Sequence, residues 1–242
     1  LGEADVIKTL QAQTGIKTMG DGSSGLFIRG GNIDQNLVLY DEGLLYNVSH
    51  LFGLVSVFNP EIVKNVDVYK GAIPARFGGR LSSVVDVHMR EGSLHETTLS
   101  GSASILGLSL AASSPIVKGK SSALIAVRRS FFDLLDFDQS TESVSPKYYD
   151  INAKMSFRGN EKNRIFISLY HGDDKIIFPD EVLNNKWRNT TLTARWNHLF
   201  SNKIFANTSI IYNGYENKLT VRPLPGLEDE IDGSPPLTSR IT

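Results

Sequence analysis

Hydrophobic and polar residues follow one pattern in the first part of the chain. Residues 26–90 hold short apolar runs separated by glycine-rich turns, and the cores of these runs are Leu26–Ile28, Leu37–Tyr40, Val66–Tyr69 and Val84–Val87. Each run is too short to bury itself alone, so the pattern predicts the strands of a compact sheet that packs inside another structure. Before it, residues 5–13 place Val6, Ile7 and Leu10 at helical spacing, and Gly15 is the predicted stop.

A second pattern begins after Gly92. Residues 149–158 alternate strictly between apolar and polar side chains, residues 191–199 and 204–212 repeat this alternation, and weaker versions lie at 97–105, 106–114, 121–131 and 164–171. Segments of about ten residues with period 2 are typical of transmembrane barrel strands, which are apolar toward lipid and polar toward the lumen. A soluble β-sandwich alternates as well, because one face of its sheet is wet. The alternation alone therefore leaves both architectures open.

The connections between these seven segments predict an orientation. Apart from a tight turn near residues 105–106, short connections at 115–120, 159–163 and 201–202 alternate with long ones at 132–147, 172–186 and from 217 onward. Outer-membrane barrels have short periplasmic turns and longer extracellular loops, which places the long connections outside. Since an open sheet edge in lipid leaves backbone groups unpaired, we expect these strands to be part of a larger barrel.

Composition excludes several classes of function. The 242 residues carry a net charge of −1, which gives no support for a nucleic-acid partner, and no cysteine, which rules out thiolate metal sites. No apolar run reaches the roughly 18 residues of a membrane helix. The histidines form no ligand pair, and no nucleophile motif is present, so we expect no catalytic residue, no metal site, no cofactor and no enzymatic activity. Residues 20–25, GDGSSG, formally match a dinucleotide motif, but a strand pattern follows them and a flexible loop is predicted.

Four motifs carry a resemblance to a known family. They are FIRGG at 27–31, LVLYDEG at 37–43, NPEIVKNVDVYKG at 59–71 and PARFGGRLSSVVDV at 74–87. Residues 1–93 resemble the plug domain of TonB-dependent outer-membrane receptors, in a variety common in Bacteroidetes-like bacteria. The resemblance implies an α+β plug domain at 1–93, with a small mixed sheet and short helices. Residues 94–242 would then be the N-terminal strands, about seven, of an incomplete antiparallel transmembrane β-barrel.

The same resemblance implies a function. The protein would lie in the bacterial outer membrane and take up a nutrient ligand actively, as a receptor and transporter. Its partners would be membrane lipid, an unknown extracellular ligand, the TonB protein of the inner-membrane energy complex and, as a further candidate, a surface lipoprotein. Two alternatives stay open: a plugged barrel that serves as a surface scaffold or signalling receptor without transport, and a soluble binding module.

Two groups of site residues follow from the resemblance. Basic residues at the motif positions of Arg29 and Lys70 pair with acidic residues of the barrel wall in the family, and Arg76 and Arg80 are candidates for the same cluster. Lys70 replaces the more usual arginine, so a bidentate contact is not expected there. The turns at 21–24, 32–36 and 46–50 would face the ligand, through Asp21, Asn32, Asp34, Gln35, Tyr46, Asn47 and His50. The alternatives are solvated strand-end charges and ordinary solvated loops.

Overall fold

The chain folds into a small N-terminal domain packed against one face of a large antiparallel sheet. The computed structural model describes residues 5–17, 25–131, 144–178, 183–221 and 237–241. Below, residues 5–90 are called the inner domain, and the large sheet is called the wall. In the part of the chain that the structure describes, no helix is both long and apolar enough to cross a membrane.

The inner domain begins with the predicted short helix. Helix α1, Val6–Gln11, starts at Asp5, whose carboxylate accepts hydrogen bonds from the backbone N–H groups of Ile7 and Lys8 at 2.8 and 3.1 Å. The helix ends at Gln11, with Ala12 as its C-cap, which is earlier than the expected stop at Gly15. Gly15 has φ +84° in the turn that follows. Strand β1, Ile16–Lys17, then pairs with β2, Phe27–Ile28. The predicted loop at 20–25 lies largely outside the described residues.

Six further short strands complete the inner domain. They are β3 Asn36–Tyr40, β4 Gly43–Leu44, β5 Ser49–His50, β6 Val55–Ser56, β7 Val63–Tyr69 and β8 Ser83–Met89. One sheet has the order β4-β3-β8-β7, in which β3 and β8 run parallel and the other pairs antiparallel, while β5 and β6 form a separate pair. Short 3-10 turns lie at Ile33–Gln35 and Leu51–Gly53. The predicted mixed sheet with short helices is confirmed.

The wall contains eight antiparallel strands, each paired only with its neighbours along the chain. They are β9 Thr98–Ser104, β10 Gly107–Val117, β11 Ser121–Arg129, β12 Ser145–Asn160, β13 Asn163–Ile177, β14 Leu183–Ser201, β15 Ile204–Val221 and β16 Leu237–Ile241. The seven expected strands are present, and β16 forms an eighth within the stretch from 217 onward, which was expected to be a long polar connection.

One predicted connection was wrong. The long loop expected at 172–186 is mostly strand, because β13 continues to Ile177 and β14 starts at Leu183. Polar residues predominate there, but they continue the ladder and pair across it, for example Asp173 with Arg188. Ion pairs between neighbouring strands stabilise a sheet, as apolar pairs do. Short connections at 118–120, 161–162 and 202–203 still lie at one end of the wall.

The two faces of the wall differ as the alternation predicts. In β12 the side chains of Asp150, Asn152 and Lys154 are buried against the inner domain, whereas Tyr149 and Met155 remain 41% and 37% exposed on the opposite face. The polar face therefore meets the inner domain, and the apolar face points away from it.

The inner domain and the wall share one hydrophobic core. Residues of the inner domain, including Tyr40 and Phe58, form a single buried cluster with Ala126 and Tyr170 of the wall. The ring of Tyr40 meets those of Phe58 and Tyr170 edge-on, with centroids 5.3 and 5.7 Å apart. Edge-to-face packing of this kind adds to the stabilisation from area burial. The wall is thus part of the core of the inner domain.

Candidate functional site

A buried ionic cluster joins the inner domain to the wall around His50. The Nδ1 atom of His50 lies 2.7 Å from Asp174 Oδ2, and its Nε2 atom lies 3.2 Å from Asp150 Oδ2. Arg128 reaches the same Asp150 oxygen from Nε and Nη2 at 2.8 and 2.7 Å, and its Nη2 donates to the backbone oxygen of Ser56 at 2.7 Å. Two wall carboxylates thus contact one histidine of the inner domain, and one wall arginine binds the backbone of the inner domain at Ser56.

The carboxylates around His50 favour the charged form of its imidazole. Burial alone lowers the pKa of His50, but Asp174 and Asp150 outweigh that effect and raise the pKa above its usual value. The ring of Tyr148 stacks on the imidazole at a centroid distance of 4.5 Å. The backbone N–H of Leu51 donates to Asp174 at 3.2 Å, which satisfies the second carboxylate oxygen.

The expected role of His50 as a ligand-facing residue is therefore corrected. His50 is fully buried, since β5 turns it away from the loop tip and into the wall. Asn47 and Ser49 of the same turn are polar, and this is why the turn pattern alone suggested exposure. Its partners Asp150 and Asp174 come from two strands that pair with each other, with Asp150 opposite Gly172 in the ladder.

A second ionic contact involves Asp41 at the turn between β3 and β4. Lys154 of β12 places Nζ 2.9 Å from Asp41 Oδ2 and donates to the backbone oxygen of Met89 at 2.8 Å. The other oxygen of Asp41 accepts the backbone N–H of Met89 at 3.0 Å. Both charged groups are buried, and a buried charge that loses its partner is costly.

The neighbouring residue Glu42 makes the third contact. Its carboxylate lies 2.9 Å from Arg195 Nη1 and accepts the hydroxyl of Ser209 at 2.5 Å. The backbone N–H of Leu44 donates to the side chain of Asn213 at 3.1 Å. Asp41 and Glu42 both have positive φ, 46° and 73°, so the tight turn aims their carboxylates at the wall.

The polarity of the contacts at Asp41 and Glu42 is opposite to the expected one, because the inner domain supplies the carboxylates and the wall supplies the cations. Arginine and lysine of the wall, Arg128, Lys154 and Arg195, reach carboxylates or carbonyl oxygens at the interface. Asp41 and Glu42 belong to the motif LVLYDEG at 37–43, which by itself does not indicate their partners. The sequence did contain an indication of these ion pairs, because Lys154 and Arg195 occupy polar positions of alternating strands. A cation buried on the inner face of such a strand needs an anion opposite it.

The four residues expected to seat the inner domain lie elsewhere. Lys70 Nζ donates to the backbone oxygen of Thr14 at 2.8 Å, and the guanidinium of Arg76 lies 4.6 Å from the ring centroid of Phe77. Arg80 donates to the backbone oxygen of Gly79 at 3.0 Å, and Arg29 lies beside Gly71. Within the described ranges none of the four forms an ion pair. Their pairing with acidic wall residues stays a prediction.

The predicted ligand-facing turns divide into structural and open positions. Asn32 and Gln35 cap the first 3-10 turn, and the carbonyl oxygen of Asn47 accepts a hydrogen bond from Asn189 of the wall at 2.8 Å. Tyr46 is 54% exposed, and its ring centroid lies 5.4 Å from that of Tyr215. Asp21 lies outside the described residues.

Two open cavities meet at this pair of tyrosines. One has a volume of about 770 Å³, and its lining includes Arg188, Asn213 and Glu216. The other has a volume of about 530 Å³, and its lining includes Asn32, Asp34 and Arg80. Tyr46 and Tyr215 line both cavities. Three predicted turn residues, Asn32, Asp34 and Tyr46, are thus brought together in one place.

Comparison with protein families decides what the inner domain is. Residues 2–85 match the model of the TonB-dependent receptor plug domain. The chain carries a TonB-dependent receptor plug domain. The inner domain is therefore called the plug from here on, and the expected location in the bacterial outer membrane is confirmed. The narrower Bacteroidetes-like variety and the boundary at residue 93 stay predictions.

Solved structures show the same fold over nearly the whole chain. The siderophore receptor PirA from Acinetobacter baumannii matches with a TM-score of 0.67 at 16% identity, over 98% of this chain and 41% of its own. The outer membrane transporter YddB from Escherichia coli matches with a TM-score of 0.64 at 10% identity, over 97% of this chain and 40% of its own. The copper transporter OprC matches with a TM-score of 0.65 at 15% identity, over 90% of this chain and 36% of its own.

The chain therefore spans about two fifths of the length of these structures. No curated protein matches the chain.

Proposed function

We propose that the chain forms the plug and the first part of the barrel wall of an outer-membrane transporter, which takes up a nutrient ligand with energy delivered by the TonB protein. The observation that carries the proposal is the plug seated on the polar face of the wall through buried charges. A plug held in this way blocks diffusion and has to be displaced for passage. The structures that share the fold include a siderophore receptor and a copper transporter, and the family comprises transporters rather than enzymes.

We further propose that the ligand binds at the two cavities beside Tyr46 and Tyr215. These cavities lie toward the end of the wall that carries the longer connections, which is the predicted extracellular end. Two adjacent aromatic rings offer flat apolar surface, and Arg188 with Glu216 offers both signs of charge at the rim. Convergent polar groups in a mostly apolar concavity are the usual composition of a ligand site. A surface lipoprotein stays a candidate partner at this end.

A disulfide between plug and wall tests the transport proposal. Gly43 of β4 packs on Thr191 of β14 so closely that a Cβ built on Gly43 would lie 2.7 Å from the Thr191 Cβ. Disulfide-bonded cysteines need about 3.5–4.5 Å between Cβ atoms, so a small shift allows a bond between Gly43→Cys and Thr191→Cys. This chain has no cysteine of its own that could compete.

The assay follows uptake of a radiolabelled iron chelate, a cobalamin and a glycan in cells with and without TonB. We expect TonB-dependent uptake of at least one probe, its loss when the disulfide forms, and its recovery on reduction. Each single-cysteine variant is the control, and its uptake should be the same under oxidising and reducing conditions, since it can form no disulfide. Uptake of no probe, or uptake that persists with the disulfide closed, would favour the surface scaffold or signalling receptor instead.

A further inference from the structure

Asp5 uses its two carboxylate oxygens for two different parts of the plug. Its Oδ1 atom accepts the backbone N–H groups of Ile7 and Lys8 and thereby caps α1. Its Oδ2 atom accepts the backbone N–H of Ser56, on β6, at 3.0 Å. An N-cap needs only one side-chain acceptor, so the helix does not require this last bond. The bond joins α1 to a strand that lies 51 residues further along the chain.

Ser56 lies between Asp5 and the wall. Its backbone N–H donates to Asp5, and its carbonyl oxygen accepts a hydrogen bond from Arg128 Nη2 of β11 at 2.7 Å. Ser56 is almost fully buried, so water does not replace either partner, and each backbone group depends on the contact that it makes. The orientation of this short piece of backbone is therefore set from both sides.

The hairpin of β5 and β6 carries two of the groups that meet the buried ionic cluster. Across these strands His50 lies opposite Val55, the residue before Ser56. His50 contacts Asp150 of the wall, and Arg128 binds the same oxygen of Asp150. The position of this one hairpin therefore sets the contact of His50 and the contact of Ser56 with the wall.

The connection between β5 and β6 has a strained backbone. Leu51 has φ +53°, a region that is unfavourable for a residue with a side chain. Such a conformation persists where the surrounding contacts fix it. The wall supplies one such contact, because the backbone N–H of Leu51 donates to Asp174 at 3.2 Å. Asp5 supplies another, at the far strand of the same hairpin.

We propose that Asp5 is a positioning residue for the seating of the plug: it fixes the backbone at Ser56 so that the carbonyl oxygen points at Arg128, and it thereby links α1 to the buried ionic cluster. Movement of α1 away from the plug withdraws the acceptor of the Ser56 N–H, releases the hairpin on that side and weakens the bond to Arg128. In the TonB-driven displacement of the plug, which rests on the proposed function, Asp5 is a residue through which movement of this helix reaches the wall.

The alternative is that Asp5 only caps α1, and substitution separates the two roles. Serine caps a helix about as well as aspartate does, but it has no second acceptor for Ser56. Asp5→Ser therefore keeps the cap and removes the proposed contact, whereas Asp5→Ala removes both. The matched control is Thr9→Val, which removes the hydrogen bond from the Thr9 hydroxyl to the backbone oxygen of Asp5 and leaves the contact with Ser56 in place.

The test is a double-mutant cycle of Asp5→Ser with Arg128→Met in the full-length receptor in detergent. It measures release of a fluorophore-labelled plug from the wall in urea. Asp5→Ser should lower the urea midpoint of release by about 0.8 M, the shift for one hydrogen bond to a charged group at a usual slope. In the Arg128→Met background the same change should shift the midpoint less than about half as far, because the group for which Ser56 is positioned is gone.

Thr9→Val should keep the wild-type midpoint, and Asp5→Ala should lower it at least as far as Asp5→Ser. A wild-type midpoint in Asp5→Ser, or equal shifts of Asp5→Ser in the two backgrounds, would overturn the proposal in favour of a helix cap alone. A loss in Thr9→Val as large as that in Asp5→Ser would overturn it as well, since the effect would then belong to α1 as a whole. The measurement needs neither TonB nor a transported probe, so its failure is distinguishable from a failure of the transport proposal.

Discussion

Replacing Arg128 by methionine should weaken the seating of the plug while leaving the barrel wall assembled. The change removes the ion pair with Asp150, which leaves that buried carboxylate with His50 as its remaining charged partner, and it removes the hydrogen bond to the backbone oxygen of Ser56. Breaking a buried ion pair by removing one partner costs about 3–5 kcal/mol. Because His50 still offsets part of the charge of Asp150, we expect a loss near 3 kcal/mol.

The assay is urea titration of the receptor in detergent, with plug release followed through a fluorophore on the plug and wall integrity followed by electrophoretic mobility without heating. With a slope of about 2 kcal/mol per molar urea, a loss of about 3 kcal/mol moves the plug transition down by roughly 1.5 M. The mobility transition of the wall should stay close to the wild-type value, since the ladder of β11 and β12 keeps its backbone hydrogen bonds.

Arg129→Met is a matched control for this experiment, because Arg129 follows Arg128 on the same strand but lies on the outward face. It should leave plug release unchanged. The double variant Arg128→Met with Asp150→Asn should be more stable than Arg128→Met alone, because the orphaned charge is gone. Equal shifts in the Arg128 and Arg129 variants, or no shift in either, would refute the assignment of Arg128 as a seating residue.

Three further predictions concern other parts of the interface. The pKa of His50 is raised in the seated plug, so its contribution to seating is fully present below about pH 6.5 and is lost as pH rises through the folded value. Plug release in urea should show this pH dependence, and His50→Gln should remove it. Gly43→Ala should weaken seating because its Cβ would collide with Thr191, and pairing it with Thr191→Gly should restore plug release toward the wild-type midpoint. A cysteine at Met155 should resist a water-soluble thiol reagent in intact outer membranes and react in denatured protein; full labelling in the membrane would contradict its lipid-facing position.

Much of the fold could be predicted because period 2 is a local property. The alternation of residues 149–158 is enough to assign each side chain to a face, since the pleat of a strand fixes that relation. The lengths of the strands were harder to predict, because residues 172–186 are mostly polar on both faces and their composition favours a loop. What makes them a strand is pairing with neighbours, as in the ladder between Asp173 and Arg188.

The site was harder to predict than the fold, for a related reason. The partners of His50 are distant in sequence, and the meeting of Asp150 with Asp174 depends on the register between β12 and β13. The motif positions of Arg29 and Lys70 pointed to cations on the plug and carboxylates on the wall. At Asp41 and Glu42 the plug supplies the carboxylates and the wall supplies the cations. A resemblance to a family identifies which residues of this chain occupy the motif positions. The residue that each of them contacts depends on the sequence of the neighbouring wall strands.

The shared core has a consequence for the order in which the protein assembles. The plug comes first in the chain, yet Ala126 and Tyr170, which close its core, belong to strands that come later. A newly exported plug therefore exposes apolar side chains such as Tyr40 and Phe58 until the wall forms around it. Each wall strand, by contrast, pairs only with its sequence neighbours, so the wall can grow by successive hairpins without the plug. Completion of the plug should accordingly be a late step that follows barrel formation, and a periplasmic holding factor that covers apolar surface would protect it until then.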